Sequence, residues 1–310
     1  MASKKSSPRP AVSGSWRAVR DARRSKRNLC ISGPGRTRTP GERELVLQER
    51  RLRSQESGEA PETDLERAQN LVYEAWELSP SERTQKALRA LVLSPRCADA
   101  YLLLADSAPT SQERLQLCRQ AIVAARAAMR DSYEEGEDLW SRLSSRPYLR
   151  ARAACARAMW DHGEPEAAAE ELLELVKLNP GDNLGLRYLF LPLLIQLGRR
   201  REAEALARTW DEEPSPEWDF NRALLGFWRR GASAAALRHL RRGMSRNPHL
   251  AGYLLGCNPI PRRLPDAITF GEEDEAVDYA ARAHAAWAAV PGALDWLAAS
   301  LFPEQTSALG

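Results

Sequence analysis

The sequence predicts an all-α protein: an α-solenoid of stacked antiparallel helix pairs behind a disordered, basic N-terminal tail. Three observations lead there. From Leu65 onward, apolar residues recur at helical spacing. No run of β-branched residues alternates with polar ones, so strands are not expected. Glycine, alanine and proline return at a fixed interval, the mark of a repeated structural unit.

Residues 1–60 are rich in Ser, Gly, Pro and Arg and show no periodicity. Gly33-Pro34-Gly35 and Pro40-Gly41 are expected to interrupt any helix. Such a segment buries too little apolar surface to offset its ordering entropy. Disorder is expected, with Glu44–Arg53 at most transiently helical. Residues 1–58 carry 15 Lys and Arg against 5 acids, a balance of +10 within a chain of formal charge +3. A basic tail thus precedes a mildly acidic body.

The body reads as helices. Leu65, Ala68, Val72 and Ala75 keep one face; Leu115, Cys118, Ile122, Ala125 and Met129 keep another. Gly163, Gly198 and Gly231 are spaced 35 and 33 residues apart, each followed five residues later by Ala168, Ala203 or Ala236. Pro180 and Pro248 come 17 residues after the first and third glycine, each preceded by Asn, and Pro214 and Pro216 stand in the matching zone of the middle unit. Pro95 ends an earlier unit after a helix over Thr84–Leu93. Each element has a mechanical reason. Glycine ends the first helix of a pair in a left-handed conformation, alanine lets the second helix approach closely, and proline stops it. One pair leaves an apolar face uncovered, so neighbours must stack.

This pattern resembles the tetratricopeptide repeat. It is fullest over 149–180, in Trp160-Asp161-His162-Gly163, Ala168, Leu172 and Leu178-Asn179-Pro180. Less regular units fall at 63–95, 96–147, 182–216 and 217–249; the second is lengthened around Asp131–Arg146. Pro192 lies inside a first helix, where a kink is expected. The resulting organisation is a tail over 1–60, repeats over 61–249, a helical capping segment over 250–303 and a short tail over 304–310. In the cap, Gly271–Ala289 and Ala293–Leu301 are expected to be helical, with Ala276, Ala280, Ala283 and Trp287 on one face covering Ala236, Leu240 and Met244.

A second resemblance is to the suppressor of tumorigenicity 7 family. It rests on Asn179-Pro180-Gly181-Asp182-Asn183 with Gly185-Leu186-Arg187-Tyr188, and on Asn247-Pro248-His249-Leu250 through Tyr253-Leu254-Leu255. It continues in Gly271-Glu272, Asp274-Glu275-Ala276, Tyr279-Ala280, Trp287 and Gly292-Ala293-Leu294. The resemblance brings no catalytic residues. The family's eukaryotic members are membrane proteins. Here the longest uncharged apolar stretch, Tyr188–Gly198, has 11 residues, against the roughly 20 a spanning helix needs.

Chemistry-bearing motifs are sparse. Cys30, Cys97, Cys118, Cys155 and Cys257 form no C-x-x-C, and three of them sit in helical patterns as small core residues. Reduced cysteines and the absence of a signal-like apolar run near Met1 favour a cytoplasmic location. Asp161-His162 are adjacent on a helix and do not face each other. Glu272-Glu273-Asp274-Glu275 lacks the spacing of a calcium loop and suits a first helical turn. No metal site, cofactor or catalytic residue is expected, and the chain is not expected to be an enzyme.

The expected role is a scaffold that binds another protein or peptide. In the tetratricopeptide family the first helix of each pair lines the concave groove. Placing the glycines in register puts Arg150, Arg157, Trp160, Tyr188, Asn221, Trp228 and Arg229 there. That set suits an extended or helical peptide with an acidic group, since arginine grips carboxylates and aromatics anchor interfaces. The alternative is association with nucleic acid through Arg23-Arg24-Ser25-Lys26-Arg27 in the tail.

Overall fold

The structure is a computed structural model that describes residues 40–56, 62–76, 78–129, 138–210, 213–261, 264–265 and 268–301. Among these residues the regular elements are all helical. Helix α1 spans Pro40–Glu56. Five pairs follow: α2 (Asp64–Ala75) with α3 (Pro80–Leu93), α4 (Ala98–Asp106) with α5 (Ser111–Met129), α6 (Arg146–Asp161) with α7 (Pro165–Leu178), α8 (Arg187–Gln196) with α9 (Arg200–Thr209), and α10 (Pro216–Arg230) with α11 (Ala234–Arg246). Short α12 (Leu250–Leu254) then leads to α13 (Glu273–Ala289) and α14 (Ala293–Leu301). Two 3-10 turns, Leu139–Ser141 and Leu143–Ser145, precede α6 in the lengthened unit.

Local chemistry sets the boundaries. Thr63 and Glu66 form a reciprocal capping box at the start of α2, with Thr63 N donating to Glu66 Oε2 at 2.7 Å. Ser215 and Ser233 accept from the first-turn amides of α10 and α11. Gly163, Gly198 and Gly231 end first helices with φ of 90°, 73° and 64°. A Cβ at any of the three would meet open space, so it is the left-handed backbone, not crowding, that calls for glycine. Ala168, Ala203 and Ala236 are fully buried. A Cβ on Gly226 of α10 would lie 3.1 Å from that of Ala236 on α11, which shows how closely this pair packs. Pro216 does not stop a unit, as its place in the repeat suggested. It opens α10, where its missing N–H costs nothing.

Each pair packs internally, and each second helix packs on the next first helix. First helices also touch one another: α2 on α4, α4 on α6, α8 on α10. One large core runs from Ala98 to Ala298, and a smaller one joins Val46, Ala68, Val72, Tyr73, Ala87 and Leu103 near the N-terminal end. Cys97, Cys118 and Cys155 are buried, as small core residues; burial pushes the Cys97 thiol up to about 12 and that of Cys155 to about 11.

Helix α8 carries the apolar run, with Leu189 through Ile195 buried. No described helix is long and apolar enough to cross a membrane. Pro192 interrupts the backbone ladder of α8, since it has no N–H for the carbonyl of Tyr188 four residues earlier. Arg282 of α13 reaches that carbonyl through Nη1 at 3.4 Å.

Two expectations are corrected. Residues 40–56, within the segment expected to be disordered, form α1. Pro40 is its first residue, where proline is tolerated. Val46 and Glu49, three apart and so on one face, are both fully buried. Residues 1–39 and 57–61, with the basic run Arg23–Arg27, lie outside the described residues. The C-terminal segment is helical where expected and buries Ala276, Ala280, Ala283 and Trp287. Yet α13 packs chiefly on α12 and α8. It lies on the side of the first helices instead of capping only the last pair.

Candidate functional site

The seven residues expected to line one surface are spread over three environments. Arg150 is 4% exposed and Asn221 is fully buried. Both belong to the interior and do not line an open surface, because helices of the same chain cover them. Tyr188 is half-buried: its hydroxyl donates to Glu213 Oε1 at 2.6 Å and its ring meets Trp218 edge-on at 6.0 Å. Trp228 and Arg229 turn toward α9, where Arg200 lies over the Trp228 ring at 5.9 Å and Arg229 pairs with Glu204 at 3.1 Å. Arg157 and Trp160 stay half-buried on α6.

Arg150 organises the N-terminal part of the first-helix face. Its Nε donates to Asp99 Oδ1 at 3.1 Å and its Nη2 to Asp99 Oδ2 at 2.5 Å, a bidentate fork between α6 and α4. Gln69 of α2 donates to the same carboxylate at 2.9 Å. The remaining guanidinium nitrogen, Nη1, donates to Glu49 Oε2 of α1. Tyr73 of α2 donates its hydroxyl to Glu49 Oε1 at 3.1 Å, and Arg53, one turn along α1, donates Nε to the same oxygen at 3.0 Å. Arg53 also reaches the carbonyl of Leu143 at 2.9 Å. Burial opposes the charge on Arg150, but Asp99 and Glu49 hold it protonated well above the usual arginine range. Burial, and then the Glu49 charge, push the Tyr73 phenol up, so it stays a donor. Side chains of α2 and α6 thus converge, with Arg53 of α1 itself, on the Glu49 carboxylate.

The C-terminal part is covered by α13. Arg282 donates to both oxygens of Glu217 on α10, at 3.0 and 3.1 Å, and to Asp278 one turn away at 2.9 Å. Tyr279 donates to Asn221 Oδ1 at 2.9 Å and accepts from Trp287 Nε1 at 3.1 Å. Phe220 stands 5.9 Å from Tyr279 and 6.1 Å from Trp287, and Trp296 of α14 stacks on Phe227 at 4.7 Å. Burial raises the Glu217 carboxyl to about 7 against the pull of Arg282, with Asp278 adding to the rise.

The remaining polar motifs are structural. Asp161 pairs with Arg114 at 3.7 Å, and His162 Nδ1 lies 3.0 Å from Ser111 Oγ. Glu275 accepts from Asn247 and from the amide of Gly271, closing the first turn of α13. Among the described residues no group of three or more His, Cys, Asp or Glu is placed to hold a metal ion.

Sequence reasoning missed Glu49, Asp99, Glu217 and Arg282. The available signal was an acid inside an apolar helical run. Asp99 sits in Cys97-Ala98-Asp99-Ala100-Tyr101-Leu102-Leu103, and a charge there must be paired on burial.

Among the described residues these features define successive helix pairs, with α1 and α13 packed against first helices. Suppressor of tumorigenicity 7 protein-like of Rattus norvegicus is 28% identical over 269 residues, which cover 76% of this chain and 47% of that protein. The Homo sapiens protein of the same name is 28% identical over 269 residues, 76% of this chain and 46% of its own length. Protein ST7 homolog of Drosophila pseudoobscura pseudoobscura is 27% identical over 257 residues, covering 73% and 47%. The chain spans just under half the length of the curated relatives it matches. No protein-family model and no solved structure matches it.

Proposed function

We propose that this chain is a non-catalytic protein-interaction scaffold, a tetratricopeptide-like α-solenoid related to the suppressor of tumorigenicity 7 family, acting in the cytoplasm. Its partner is a protein segment with an acidic group, held on the concave face of the first helices. The observation that carries this reading is the seat of Glu49. Arg150 and Tyr73 aim donors at a carboxylate that arrives on a separate helix, the chemistry expected of an acid-reading groove.

The non-catalytic part is supported by how the polar groups are used. Arg150, Glu217, Asp219 and Arg282 are each engaged in ion pairs between helices, and the thiols of Cys97 and Cys155 are raised far from the thiolate form. No cofactor or metal is proposed.

The test is affinity capture with the full chain as bait, comparing wild type with Arg157→Glu and Trp160→Ala on α6. Loss of specific partners with both variants, at unchanged helical circular dichroism, upholds the groove. Retention of every partner by both variants removes it.

A further inference from the structure

We propose that the face formed by α2, α4 and α6 is a receptor for a partner helix of pattern Val-x-x-Glu-x-x-x-Arg, and that α1 is an internal occupant which this partner displaces. The proposal rests on the scaffold reading above and adds the chemistry of the partner and the means of regulation.

The first argument is charge balance. Arg150 and Asp99 form a neutral bidentate pair without α1. Glu49 and Arg53 form a neutral pair, four residues apart, within α1 itself. When α1 leaves, the buried guanidinium keeps Asp99 and the departing carboxylate keeps Arg53. Separation strands no lone charge, the event that makes most buried ion pairs costly to open. What remains on the receptor is a set of donors, Arg150 Nη1 and Tyr73 Oη, with no acceptor from α1.

The second argument is how little else holds α1. Of its described side chains, only Val46 and Glu49 are buried; Leu47, Leu52 and Arg53 are half-buried and the rest are exposed. Val46 joins the small cluster of Ala68, Val72, Tyr73 and Leu103. Among these described side chains, one aliphatic residue and one carboxylate, three residues apart, are the buried anchor, and Arg53 adds its bond to the Leu143 carbonyl. The seven residues between Glu56 and Asp64 reach about 24 Å when extended, enough for α1 to step aside without breaking the chain.

These facts define the partner. It presents an aliphatic residue and a glutamate three positions later on one helical face, and an arginine four beyond the glutamate keeps it neutral in transit and reaches the Leu143 carbonyl. A second copy's α1 has the same fit but competes against a tethered helix at an effective concentration on the order of millimolar. A better-fitting helix on another protein is therefore the occupant.

The probe is a fluorescent peptide of residues 40–56, titrated into the full chain as wild type, as Val46→Asp, and as Val46→Asp with Tyr73→Phe. Val46→Asp places a charge in the apolar seat and frees the receptor. The peptide is expected to bind this variant one-to-one, about tenfold or more tighter than wild type, because the competent fraction rises. Adding Tyr73→Phe is expected to weaken that binding severalfold. Equal binding to wild type and Val46→Asp, or binding to neither, overturns the proposal. So does loss of a cooperative unfolding transition in Val46→Asp, which would make α1 part of the core, and so does wild-type dimerisation by exchange of α1. Partners captured equally by wild type and Val46→Asp, and not released by the peptide, leave the scaffold standing and remove α1 as its regulator. Peptide binding as expected, with no partner lost on Arg157→Glu and Trp160→Ala, leaves the receptor standing and removes the broader groove.

Discussion

Helices α1 and α13 both pack against first helices of the pairs and are held in different ways. Among its described side chains, helix α1 buries one aliphatic residue and one carboxylate against α2, α4 and α6, and directional donors on Arg150 and Tyr73 meet the carboxylate. Helix α13 packs on α12 and α8 and reaches α10 through Tyr279, Trp287 and Arg282, with Ala276, Ala280, Ala283 and Trp287 all fully buried. Close packing adds up many small attractions and is lost all at once. A polar anchor is specific for its weight and can be undone at one point. The first suits a permanent part of the core, the second a part that comes and goes.

The comparison breaks most visibly at Trp287. Trp287→Ala should cost about 4 kcal/mol by leaving a large cavity, lowering the main thermal transition of the whole chain in calorimetry. If only the last two helices melted early, α13 would be no more integral than α1. Arg150→Met should cost about 3 kcal/mol, since it takes the bidentate cation from buried Asp99 and leaves Glu49 with Arg53. Here limited trypsin digestion should cut first at Arg50, Arg51 and Arg53 of α1, while fragments from α8 onward persist.

Two smaller perturbations sharpen the contrast. Gly198→Ala belongs to neither docking site and should cost about 1 kcal/mol through its left-handed backbone, with both docked helices equally protected in hydrogen exchange. Glu217→Gln tests the ions of α13. The folded carboxyl is raised to about 7 from an ordinary 4.5, so the folded chain holds a proton that the unfolded chain has released across that window. Stability from this group therefore grows as pH falls from about 7 toward 4.5 and is absent above 7. The variant should flatten that slope in denaturant titrations.

The helix pairs were legible because their signals are local. A glycine at positive φ, an alanine five residues on and an asparagine–proline stop each report a conformation set within one pair. The buried face of α13 was legible for the same reason, since Ala276, Ala280 and Ala283 show its period directly. The docking of α1 was not legible. Its decisive contact joins Glu49 to Arg150 across 101 residues, and no periodicity reports a partner that far away. Helix α1 itself was hidden by Pro40-Gly41, read as a break when the proline begins the helix. Arg150 and Asn221 lie on the first helices α6 and α10, but inside the structure and not on an open groove. The sequence carried no sign that α1 and α13 already cover them.

The notch at Pro192 bears on the order in which the chain is completed. The Tyr188 carbonyl receives its side-chain donor from Arg282, 94 residues further along. During synthesis α8 can pack on α7, α9 and α10, while that carbonyl waits for a helix not yet made. Closing so distant a contact carries a loop-closure cost that local hairpins avoid. The contact between α8 and α13 is therefore expected to close late. A chain that ends before residue 282 leaves the Tyr188 carbonyl of α8 without its side-chain donor.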